Sequence, residues 1–198
     1  MAEQEKIQPG LVKRIFSDRV LIWNLSMMIL VWVASSFTFF LLSFLVKYMP
    51  GDIYFNSIVS GLSCSVMLVE GFIQDRMGSK GGMIASLSLT CLATLTLCLF
   101  VHGTDQILLY AFIVFLAKTG GSLAFGFAYA IHIEIFPSHF VISSFGICNF
   151  FCRGLTIFAP IVAEVSNPWI PMIFLNLAAF GGLMGASGIK KPVSKGDE

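Results

Sequence analysis

The chain has 198 residues, of which 57% are hydrophobic and only 12% charged, with a mean hydropathy of +0.87 and a formal net charge of +1. Soluble domains are about half apolar, so this composition excludes a soluble globular protein and indicates an integral membrane protein. The small net charge identifies no partner, and nothing in it points to nucleic acid.

Residues 1–20 read as a polar arm holding Lys6, Lys13, Arg14 and Arg19. They contain no isolated short apolar core followed by a small-residue cleavage site, so no cleavable signal peptide is expected. Crossing a hydrocarbon core takes about 20 helical residues, and six apolar runs of about that length follow. They are Leu21–Val46, Ile53–Ile73, Met83–Val101, Ile107–Ile133, Val141–Ala163 and Trp169–Ile189. The segments between them are compact: "KYMPGD", "QDRMGSKGG", "HGTDQ", "EIFPSHF" and "EVSNP". Strands of a membrane barrel alternate apolar and polar residues over about ten positions, and these runs do not alternate. The expected fold is all-α and polytopic, with six transmembrane helices in residues 21–189 and a polar tail at 190–198.

Basic residues orient the spans, because Lys and Arg concentrate in short cytoplasmic loops. With the N-terminus inside, nine of the twelve basic residues (Lys6, Lys13, Arg14, Arg19, Arg76, Lys80, Lys190, Lys191 and Lys195) share one side and Lys47 alone takes the other. Both termini are therefore expected on the cytoplasmic side, or on the equivalent side of an organelle membrane. All five cysteines (Cys64, Cys91, Cys98, Cys148 and Cys152) fall inside spans, where a thiol behaves as a small hydrophobe, and no disulfide framework or metal motif is indicated.

Two cations remain inside the spans. Lys118 and Arg153 each sit about eleven residues into their runs, near the bilayer centre, where an ionised side chain costs roughly 2.5 to 3.5 kcal/mol on insertion scales. They are expected to face protein or water. One reading joins them in a cationic patch that attracts an anionic solute. The other pairs Arg153 with a buried carboxylate such as Glu134 or Glu164, or with helix carbonyls, and lets Lys118 snorkel where a neighbouring helix crosses over Gly120 and Gly121. Phe39, Phe40, Phe125 and Phe127 likewise line an aromatic pocket, or else face lipid or pack in the core. His102, His132 and His139 lie near loop ends without ligand spacing and are expected at the interface. No phosphate-cradling loop, zinc spacing or nucleophile with an adjacent base is present, so neither an enzyme nor a cofactor is expected.

In "GFIQDRMGSK", between the second and third runs, Gly71, Asp75, Arg76, Gly78 and Lys80 resemble the G-x-x-x-D-R-x-G-R-K loop of the major facilitator superfamily, at the position that loop takes in a six-span block. "IEIFPSHF" is similar to the E-L-Y-P-T-x-x-R segment of organic cation and anion transporters (solute carrier 22-like) through Glu134, Pro137 and Ser138, with Val141 in place of the arginine. Trp32, Ser36, Gly51 and Tyr54 fall at similar spacings. "CRGLTIFAP" resembles a further pattern through Cys152, Arg153 and Pro160, with its glycine shifted to Gly154.

The resemblance covers the second half of such a carrier, whose complete form has two six-helix halves with substrate held between them near mid-membrane. It implies a half-size carrier that works by alternating access with a second six-helix half, either another copy or a separate chain. The loop at 70–82 would latch the halves together. Arg153, Lys118 and Phe39 would contact a small organic ion, anion rather than cation, because cation members carry an acid at the position matching Arg153. The alternative expectation is a carrier half recruited as a non-transporting subunit of a larger membrane complex.

Overall fold

A computed structural model describes residues 19–99 and 106–190. Residues 1–18, 100–105 and 191–198, with His102, Lys6, Lys13, Arg14, Lys191 and Lys195 among them, lie outside the described residues.

Every described element is helical: α1 Arg19–Leu45, α2 Ile53–Ser65, α3 Glu70–Leu99, α4 Ile107–Ile135, α5 Ser138–Thr156, α6 Phe158–Ala163 and α7 Trp169–Gly188. Single 3₁₀ turns extend α1 through Val46–Tyr48 and join α2 to α3 through Val66–Val69. Five stretches are long and apolar enough to cross a membrane: Arg19–Tyr48, Ile53–Leu99, Ile107–Ile135, Phe140–Ala163 and Trp169–Gly188. The chain is an integral, multi-pass membrane protein.

The six expected runs thus emerge as five stretches, because the second and third form one helical path of 47 residues. The charged segment at 70–82 was expected as a loop and is instead almost wholly helical. Its interruption is Gly78, where φ is 72° and ψ 163°. An L side chain rarely adopts that conformation, so glycine is the residue that permits the break. Gly81 and Gly82 keep helical backbone.

Local chemistry explains the other boundaries. The Asp52 side chain accepts a bond from the Tyr54 N–H at 2.7 Å and caps α2. Phe136 takes extended backbone before Pro137, as the proline ring demands of its predecessor, and this separates α4 from α5. Pro168 precedes α7, where the Asn167 side chain accepts from the Trp169 N–H at 3.1 Å.

Contacts made by α4 describe the packing order. Before Gly78 they ascend together: Ser60 meets Lys118, Cys64 meets Ser122, and Glu70 meets Gly126. Beyond Gly78 they descend: Ser79 meets Glu134, Gly82 lies under Phe127, and Thr90 lies against Gly120. At one end of the bundle the start of α1 joins the end of α7, with Trp23 Nε1 donating to Gly188 O and Asn24 Nδ2 to Lys190 O, both at 2.8 Å. At the other end Lys47 and Glu164, both largely exposed, approach to 3.7 Å.

Two apolar cores fill the bundle. One centres on Met28, Trp32, Leu87, Phe127 and Ile131, the other on Leu41, Leu42, Leu97, Val114 and Leu175. Lipid is as apolar as these side chains, so close backbone approach and interhelical hydrogen bonds carry much of the association. Asn176 supplies one such knot: its amide donates to Met172 O at 2.9 Å, Cys98 Sγ at 3.0 Å and Thr94 O at 3.3 Å, and its carbonyl accepts from the Thr94 hydroxyl at 3.2 Å. Asn176→Leu is expected to cost about 0.6 to 1.7 kcal/mol, the range for hydrogen bonds between membrane helices. Thermal unfolding in detergent checks this.

Candidate functional site

Arg153 and Phe39, two of the three residues expected to contact a solute, line one cavity. A cavity of about 270 Å³ lies among α1, α2, α4, α5 and the turn after α2. Phe39, Phe40, Phe125 and Met67 supply apolar walls, Ser36, Ser122 and Cys64 supply small polar groups, and Arg153 is the lining cation. The Ser36 and Thr156 hydroxyls, 3.0 Å apart, tie α1 to α5 at its edge. Of the four phenylalanines considered for a pocket, Phe127 is apart: it is fully buried in the core over Gly82.

Lys118 does not line this cavity but sits behind its wall. Its side chain is 4% exposed, its amine donates to the buried Ser60 hydroxyl, and its charge lies 5.0 Å from the centroid of the Phe39 ring. The ring face partly offsets the lost hydration through a cation–π contact. The lysine is thus held inside rather than snorkelling outward. The close helix crossing expected nearby is present at Gly120, with Thr90 and Ser86 against it, but not at Gly121, which has open space.

Lys118, Ser122 and Gly126 recur every four residues and share one face of α4. Opposite them run Ser60, Cys64 and Glu70. The Glu70 carboxylate lies against Gly126, where any side chain would collide with it. Sequence reasoning counted Glu70 with the polar loop and overlooked Ser60. The signal for Glu70 was its place inside the apolar run Ile53–Ile73, where a carboxylate is costly. Ser60 offered none, because serines are scattered through every run.

Arg153 is exposed on the bundle surface, and its side chain has no hydrogen bond or ion pair among the described residues. The expected pairing with Glu134 or Glu164 does not occur, since Glu134 accepts from Ser79 and Glu164 faces Lys47. At 1.5 Å per residue, Arg153 lies about 22 Å from the start of α5 and Lys118 about 26 Å from the adjoining end of α4. The two cations share a similar depth.

The two sequence motifs, read separately, meet in space. Gln74 Nε2 donates to Ser79 Oγ at 2.9 Å, and that hydroxyl donates to Glu134. Lys80 reaches the free carbonyls ending α7, Ile189 O at 2.6 Å and Ser187 O at 3.4 Å, a favourable place for a cation. Asp75 and Arg76 are exposed without an ionic partner among the described residues, and Arg76 stacks over Phe72 at 4.9 Å. Gly71 is exposed in open space, Pro137 precedes α5, and Ser138 is the first residue of α5, without a capping bond from Pro137.

His132, expected near a loop end, lies three residues before the end of α4 and faces the bundle interior. It is fully buried, stacked on Phe145 at 3.9 Å, with Nε2 2.8 Å from the Ser144 hydroxyl. That hydroxyl also donates to Val141 O at 2.9 Å, which holds it at the end of the turn. Trp32, also fully buried, meets Tyr129, Phe145 and Phe125 edge-on at 4.6 to 5.6 Å and completes the cluster. Aromatic packing, invisible in the spacing of single residues, draws the histidine inward.

No group of three or more residues able to hold a metal ion occurs among the described residues. No protein-family model matches the chain, and no curated protein matches it.

Proposed function

We propose that the chain is a half-size membrane carrier subunit for small organic anions, built from six spans and working by alternating access with a second six-helix half. The observation that carries this reading is the cavity in which Arg153 meets the aromatic walls of Phe39, Phe40 and Phe125 at mid-span depth. An intramembrane cation facing a cavity marks a substrate path by default, and an aromatic wall suits the organic part of an anion.

Three features support six spans. The path Ile53–Leu99 would extend about 70 Å as one helix, more than twice a hydrocarbon core of about 30 Å. The contacts on α4 run upward before Gly78 and downward after it, as two antiparallel helices require. The start of α1 and the end of α7 meet at one end of the bundle, which needs an even number of crossings. Arg19, Lys80 and Lys190 gather at that end, which supports a cytoplasmic setting for it. In a half of the major facilitator kind, the contacts through Ser79 and Lys80 anchor the 70–82 segment and leave Asp75 and Arg76 free to engage the other half.

The test is uptake of aromatic carboxylates by vesicles containing the chain with its natural membrane partners. Arg153→Gln is expected to reduce uptake at least tenfold while the assembly keeps its mass. Unchanged uptake would remove Arg153 from the site.

A second reading, a structural subunit of a larger membrane complex, is favoured by the size of the cavity. About 270 Å³ is below the usual 300 to 1,000 Å³ of ligand pockets. In that case Arg153→Gln weakens assembly, and no uptake is measurable with either form.

A further inference from the structure

Arg153 projects from the span with the smallest buried share of the five, Phe140–Ala163, and it does so near the middle of that span. A guanidinium stays charged at any physiological pH. At this depth lipid headgroups are distant, and no side chain of the described residues pairs with it. Gly146 and Gly154, on the same helix, have open space around them, so another helix can approach closely without meeting side chains there.

We propose that this face of α5 docks a transmembrane helix of a different protein chain, and that this helix carries an Asp or Glu at the depth of Arg153. The inference rests on the reading that a second bundle covers the cavity, and it names the chemistry of that bundle. Charge complementarity selects the occupant. A second copy docked through the same face about a two-fold axis along the membrane normal would bring like residues opposite one another at equal depth. Two arginines would then oppose each other in a medium that screens them weakly. A carboxylate forms a paired, hydrogen-bonded contact with the guanidinium and relieves the cost of holding it in the membrane. In a working carrier an anionic solute competes with that carboxylate for Arg153.

Arg153→Lys allows the contact to be trapped in intact native membranes. Dicyclohexylcarbodiimide activates a carboxyl group in an apolar setting. The substituted side chain's amine then attacks the activated carbonyl, forming an amide as dicyclohexylurea leaves with the carboxyl oxygen. Mass spectrometry is expected to find residue 153 joined to an Asp or Glu within a transmembrane segment of another protein. The Arg153 chain gives no such product, and Arg153→Glu is expected to lose that partner in native mass measurements. Restoring the partner by exchanging its acid for Arg would close the test.

A bond to a second, isotope-labelled copy, to Glu70 of the same chain or to a lipid would overturn the proposal, as would no bond at all. Uptake that depends on Arg153 without any cross-link would leave the carrier reading standing and this inference refuted. A cross-link without uptake would do the reverse.

Discussion

Gly120→Leu is expected to abolish the folded bundle, and Gly120→Ala to weaken it. A Cβ at this position would lie 2.7 Å from Ser86 O and 2.9 Å from Thr90 N, and closer still to the Thr90 hydroxyl. Two of these atoms are backbone, so the neighbouring helix must move as a body. Thr90 cannot simply rotate away, because its hydroxyl donates to Ser86 O at 3.0 Å on the same helix. Overpacking by a methyl group costs typically about 1 to 3 kcal/mol, and three further carbons exceed what a relaxed crossing can absorb. The measurement is the fraction of protein recovered as a monodisperse peak from detergent, with Gly121→Ala as the comparison. Gly121 has no atom within 4 Å of the added carbon, so its variant is expected to match the parent.

Lys118→Met is expected to raise stability and lower transport together. The lysine is 4% exposed, and its partners are one hydroxyl and one ring face, neither an anion. Replacing buried charges by well-packed apolar groups of similar volume is often neutral or stabilising, by up to about 4 kcal/mol. A methionine keeps the length of the stem and leaves Ser60 able to satisfy itself within its own helix. If Lys118 reinforces the positive potential of the cavity, anion uptake falls at least tenfold while the melting temperature stays level or rises. A drop in melting temperature with unchanged uptake would assign the lysine to structure alone. Ser60→Ala separates the two effects from the other side, because it strands the amine without a hydrogen bond. The expected cost is about 1 to 3 kcal/mol.

Opposite signs for stability and transport would fit a cation retained for chemistry rather than folding. Gly120 and Lys118 stand two residues apart on α4, yet the first sets how closely α3 approaches and the second faces α2 and α1. One helix thus carries a packing face and a polar face, and the cavity depends on both.

Hydrophobic run length alone determined the membrane class and the approximate position of four of the five stretches, because a hydrocarbon core demands about 20 apolar residues wherever they fall. The two cations inside apolar runs stood out because charge at that depth is costly and therefore informative.

Only the tertiary structure decided what those residues touch. Lys118 meets Ser60, 58 positions away, and Ser79 meets Glu134, 55 away, and no local pattern encodes either pairing. His132 is fully buried because Phe145 and Trp32, from two other helices, enclose it. Sequence determines which side chains are expensive to place in a membrane; helix packing determines which neighbours make each placement tolerable, and so which cation is left facing outward.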